Sequence, residues 1–162
     1  MNRIDQGFNG AFGFVLLLMV ALATSTLQAA EREWSAVGRN ETISIADCAD
    51  CDEDIGMMVE CKGPGLAANV TVNWAAVENG EEGAVLPISL TVDNHTFTYQ
   101  ATTVQYGLIG YTPQFALSPG DPVIEAMQGG RTVVVRFSGS DTEISLKGSR
   151  RSFDLFKSNC GW

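Results

Sequence analysis

After residue 40 the apolar positions recur mostly with period two, the spacing of a strand with one buried face. "NVTVNWAAV" (residues 69–77) places Val70, Val72 and Trp74 on one face, with Thr71 and Asn73 opposite. "IGMMVEC" reads as an apolar strand ending at Cys61. "AVLPISLTV" and "HTFTYQA" flank Asp93 and Asn94, a turn dipeptide, and predict a hairpin. Pro87 cannot donate to a ladder, so the first of these strands is expected at an edge or bulged there. "RTVVVRF" and "TEISL" around "SGSD" predict a second hairpin. Short alternating segments separated by turn signals predict an all-β fold, an antiparallel β-sandwich.

Two short helices interrupt this pattern. In "SPGDPVIEAMQGG", Asp121 suits the cap, Pro122 the first helical position, and Gly129 and Gly130 the stop. In "KGSRRSFDLFKSNCGW", the carboxyl-terminal helix, Ser149 is the expected cap, and Phe153, Phe156 and Cys160 recur at three- and four-residue spacing. That stripe predicts burial of one helix face against the sheet, with Cys160 arriving on the core side of the last turn.

The first 30 residues do not belong to the sheet pattern. Arg3, an apolar run from Phe12 to Ala23, and small residues before Glu31 have the layout of a secretory signal. The run is shorter than the about 20 apolar residues a membrane span requires. Residues 1–30 are therefore expected to be a removable leader, cut after Ala29 or Ala30, and residues 31–162 a single β-sandwich domain, periplasmic or secreted, with no integral membrane segment after signal removal. The net charge of −9 repels phosphate backbones, which argues against a nucleic-acid partner.

That compartment changes the reading of "DCADCDEDIGMMVEC" (residues 47–61). An exported chain with four cysteines favours disulfides over free thiols. Cys48 and Cys51 form half of a zinc knuckle, and Cys61 could add a third ligand. The paired half is absent, and His95, the one histidine, lies in a hairpin turn. A redox centre needs positive charge to lower a thiol pKa, whereas Asp47, Asp50, Asp52, Glu53 and Asp54 surround this pair. Crosslinks remain. Four cysteines allow three pairings. Cys61 with Cys160 and Cys48 with Cys51 is preferred, because one ends an apolar strand and the other an inward-facing helix. Cys48 with Cys61 and Cys51 with Cys160 stays open.

Three surfaces are candidates for contact. The first is the acidic loop of Asp50, Asp52, Glu53 and Asp54, which lacks the register of a calcium loop. The second is "YGLIGYTPQFAL" (residues 106–117), a glycine- and proline-broken stretch carrying Tyr106 and Tyr111, residue types enriched at recognition surfaces. The third is Ser149 with Arg150 and Arg151, where helix amides and two guanidinium groups could receive an anion or an acidic partner. No catalytic motif surrounds His95 and no glycine-rich loop supports phosphate chemistry, so neither an enzyme nor a cofactor is expected.

The close "ISLKGSRRSFDLFKSNCGW" (residues 144–162) resembles the ending of small secreted proteins of Gram-negative bacteria, the invasion-associated locus B type and the periplasmic accessory proteins of type VI secretion. The resemblance implies a non-enzymatic β-sandwich, exported through the inner membrane, with a disulfide to Cys160. "DCADC" departs from both families. The function expected is that of a binding or accessory protein acting on an envelope or secreted protein partner. The alternatives are an inhibitor of a secreted hydrolase such as lysozyme, with the acidic loop approaching a basic cleft, and a metal-binding protein using the clustered cysteines.

Overall fold

The computed structural model describes residues 31–37, 42–108 and 110–162; the expected leader lies outside them. The chain runs β1 (Glu33–Ala36), β2 (Ile43–Cys48), β3 (Ile55–Cys61), β4 (Ala68–Val72), a single 3-10 turn (Asn73–Ala75), β5 (Val85–Val92), β6 (His95–Tyr106), β7 (Gly110–Leu117), α1 (Pro122–Gly129), β8 (Thr132–Phe137), β9 (Ser140–Ser145) and α2 (Ser149–Cys160). It is mostly antiparallel β with two helices, one carboxyl-terminal. The strands share one sheet of nine, ordered β1-β2-β3-β4-β7-β6-β5-β8-β9, which is nearly barrel-like.

Alternation builds this sheet around one core. Ile45, Met57, Val59 and Val70 from its first half join Ile88, Leu90, Val135 and Phe137 from its second in the same buried cluster. Across the gap the edges are stitched without a ladder. Trp34 donates its backbone N–H to Lys147 O at 2.8 Å and its Nε1 to Ser145 O at 2.9 Å. Thr142 Oγ1 donates to Trp74 O at 3.2 Å.

Both hairpins form on two-residue turns, with positive φ at Asp93 (51°) and at Ser138 and Gly139 (50° and 84°), as primed turns require. Pro87 has a local solution. β5 is an interior strand, but its pairing with β8 starts only at Ile88, so Pro87 faces no ladder partner on that side while it pairs with Gln100 on the other. Two readings of the pattern are corrected. Trp74 does not continue β4: the strand stops at Val72, and the tryptophan sits in the 3-10 turn at 41% exposure. The stretch after Tyr106 is mostly strand rather than broken loop, because β7 pairs with both β4 and β6.

The helices cover the core. Asp121 caps α1, accepting the Val123 N–H at 3.1 Å, and Gly130 follows its end. Before α2 stands Gly148, at φ 78°. A Cβ there would lie 2.8 Å from Trp34 O, so only glycine admits the close approach of β1. Ser149 does not cap α2. Its buried hydroxyl donates to Met127 O at 2.7 Å and ties α2 to α1. Phe153 and Phe156 are fully buried, with Trp34 5.4 Å from Phe153 between ring centroids.

Candidate functional site

All four cysteines are in disulfides, so none offers a thiolate to a metal or a substrate. Cys61 and Cys160, both fully buried, are joined across a sequence separation of 99, which anchors the end of α2 to β3. Cys48 and Cys51, three apart, close the small loop that follows β2. Among the described residues no group of three or more His, Cys, Asp and Glu is placed to hold a metal ion.

The acidic loop is a structured turn. Asp50 O accepts the Glu53 and Asp54 N–H groups at 3.2 and 2.7 Å, and Asp50 Oδ1 accepts the Asp52 N–H at 3.1 Å. Asp54 is drawn inward by Arg32, which hydrogen-bonds its carboxylate and its carbonyl. Four exposed carboxylates were expected to act together; the fold commits Asp50 to the turn and Asp54 to an ion pair, and leaves Glu53 exposed.

Arg32 organises this end of the molecule. Its Nε and Nη2 lie 3.1 and 3.0 Å from Asp47 Oδ2, its Nη2 lies 3.0 Å from Asp47 O, and its guanidinium carbon sits 3.8 Å from the Trp74 ring centroid. A stacked arginine with a carboxylate partner is a stable arrangement. Asp47 is fully buried, and only one of its carboxylate oxygens is used; Oδ1 has no hydrogen-bond partner among the described residues. Burial therefore pushes its carboxyl above the usual range despite the opposing pull of Arg32. Gly56 makes room for the cluster: a Cβ there would meet Asp47 Oδ2 at 2.7 Å and Arg32 Nη2 at 2.9 Å. Arg32, Gly56 and Trp74 carry no local signal as a group, and the sequence pattern named Trp74 only as a strand residue.

The aromatic stretch divides into a tip and a base. Tyr106 ends β6 at 40% exposure, Gly107 turns with φ 52°, and Leu108 is fully exposed. Tyr111 belongs to the base. Its backbone exchanges hydrogen bonds with Val77 at 2.9 and 3.0 Å, and Gly80 packs so closely that a Cβ there would touch its ring.

Arg150 and Arg151 stand exposed on the first turn of α2, and neither guanidinium makes an ion pair or hydrogen bond among the described residues. They rim an open groove of about 600 Å³ whose floor includes Gly130, Leu146 and Leu155. Ser149 lines it too, but its hydroxyl is engaged by Met127 O. The two arginines named for the expected anion site thus line one groove with Leu146, Leu155 and the carboxylate of Asp154, without a capping serine.

No helix among the described residues is long and apolar enough to cross a membrane. No protein-family model matches the chain, and no curated protein matches it. Among solved structures, the chain is similar to the crystal structure of invasion associated protein B from Bartonella henselae, with a TM-score of 0.46 and 10% identity over 77% of this chain and 92% of that one.

Proposed function

We propose that this chain is a non-enzymatic binding or accessory protein of the periplasm or the exterior, which works by protein contact at the cell envelope. The reading takes residues 1–30 as its leader and residues 31–162 as the working domain. Two disulfides favour an oxidising compartment. The observation that carries the contact is the β6–β7 tip, where Tyr106 and Leu108 project from a hairpin whose base is held by Val77 and Gly80. An exposed apolar residue beside a tyrosine on a rigid mount loses little conformational entropy on docking.

The test is co-purification from envelope extracts. Tyr106→Ala with Leu108→Ser is expected to cut recovery of the bound protein about tenfold, within the range of interface anchors. Glu143→Gln, on exposed β9, is expected to leave recovery unchanged. Equal recovery from all three proteins would remove the tip as the contact.

A second reading, inhibition of a secreted hydrolase such as lysozyme, is favoured by one feature. The acidic turn is held by a disulfide and by Arg32, and Glu53 stays exposed. Inhibition would then weaken as salt rises and fall when Asp52 and Glu53 become Asn and Gln. Indifference to both changes sinks it.

A further inference from the structure

The charge of this chain is unevenly spread. Against a net −9, four of its ten Lys and Arg fall between residues 147 and 157, with Asp154 the only acid among them. Three of those five charged groups are engaged. Lys147 pairs with Glu31 at 2.7 Å. Lys157 Nζ donates to Gln128 Oε1 at 2.8 Å, and Gln128 Nε2 donates to Asp154 Oδ1 at 2.8 Å. Arg150 and Arg151 are left, side by side, with no partner among the described residues.

Beneath them lies an apolar floor. Leu155 is 44% exposed, Leu146 closes the bottom, and Gly130 and Gly148 add backbone without side-chain bulk. The groove continues past Gly148, Arg151 and Leu155 into a further space of about 380 Å³ along β1. Glu33 stands at that end, and Glu125 flanks the opposite side, beyond Arg150. Asp154, held by Gln128, lines the groove beside the two arginines, and Lys157 stands with Glu125, so the charge is mixed along it and its cations without a partner among the described residues are Arg150 and Arg151.

We propose that this groove is a docking site for an extended peptide segment that carries one carboxylate between apolar residues. Arg150 and Arg151 both line the groove, and a guanidinium matches a carboxylate in fork geometry and charge. Leu146 and Leu155 take the neighbouring apolar side chain. Asp154 in the groove, Glu33 and Glu125 beside it, and the strongly negative chain as a whole disfavour a polyacidic run. The side chains and the floor set this selectivity.

The experiment is a backbone-amide NMR titration of the oxidised protein with a synthetic panel of acetylated pentapeptides, each with a central glutamate between varied apolar residues. Binding members are expected to shift the amides of Gly130, Gly148 and Leu155 first. Replacing the peptide's glutamate by glutamine should weaken binding about tenfold, as should Arg150→Gln with Arg151→Gln, the loss expected for a charge-assisted pair. Arg150→Lys with Arg151→Lys should recover only part of it, because the fork is gone. The proposal is overturned if no panel member moves these amides at millimolar concentration. It is equally overturned if glutamate and glutamine peptides bind alike, a comparison that needs no protein variant.

Discussion

Asp47 is a carboxylic acid whose chemistry the fold alters. Its carboxyl is buried inside the sheet, held on one oxygen by Arg32 and bare on the other. With the folded-state pKa raised by burial, the folded protein binds the proton more tightly than the unfolded chain. Its contribution to stability is then full below the ordinary value of 3.8 and is lost as pH rises through the raised one. Asp47→Asn removes that titration, since the amide oxygen can still accept from Arg32. The wild type should therefore gain in stability relative to the Asp47→Asn protein as pH falls from about 7 to about 3, the interval spanning a perturbed carboxyl. Denaturant melts across that range read the difference; a constant offset would mean that Asp47 binds its proton equally in the folded and unfolded chain, and a relative loss of stability toward a pH of about 3 that it stays ionised in the fold. None of this was legible in the sequence. Arg32 meets Asp47 and Asp54 over separations of 15 and 22 residues, and a residue pattern reports neighbours on an element, not partners across a sheet. Tyr106 was legible as an exposed aromatic and Tyr111 was not separable from it, because the bridge to Val77 is also a tertiary fact.

Among the elements, α2 has the longest reach. The Cys61–Cys160 bond, the Ser149 hydroxyl on Met127 and the Ser152 hydroxyl on Trp34 O fix its two ends to three other parts of the chain. In the chain-entropy model a bond closing about 100 residues stabilises by about 4.7 kcal/mol, and a ring as small as that of Cys48–Cys51 by about 2 kcal/mol. Cys61→Ser with Cys160→Ser should thus cost clearly more in denaturant melts than Cys48→Ser with Cys51→Ser. Similar losses would show that the long bond acts on the folded state rather than the unfolded chain. Local rules read α1 well, since Asp121, Pro122 and Gly130 each act within one turn of their own position. The same rules misplaced the start of α2. Ser149 is a good cap in isolation, but α1 lies close enough to claim its hydroxyl, and Gly148 takes the turn instead.

At the scale of the whole molecule, alternation announced antiparallel β structure but not its closure. Period two states which face is buried and leaves open what it is buried against, so a continuous sheet and two separate sheets give the same pattern. The stitching of Trp34 to Lys147 and Ser145 depends on sheet curvature, which single segments do not encode. Net charge is a whole-molecule property that sequence does report. A chain at −9 repels itself across its surface, so its unfolding midpoint should rise when ionic strength is brought from about 0.01 M to about 0.1 M, shortening the screening length from about 30 to about 10 Å. A fall on adding salt would show that ion pairs such as Arg136–Asp141 outweigh the general repulsion. The long disulfide also governs how the molecule would bear a load. Tension applied between residues 31 and 162 enters at β1, reaches Cys61 and crosses the sulfur bond directly to Cys160, bypassing everything between. The bypassed span, 99 residues in separation, would reach about 330 Å if extended. Under oxidising conditions β1 to β3 can be peeled away while β4 to β9 feel no pull along the chain, and one reductant molecule would convert a short tether into a long one.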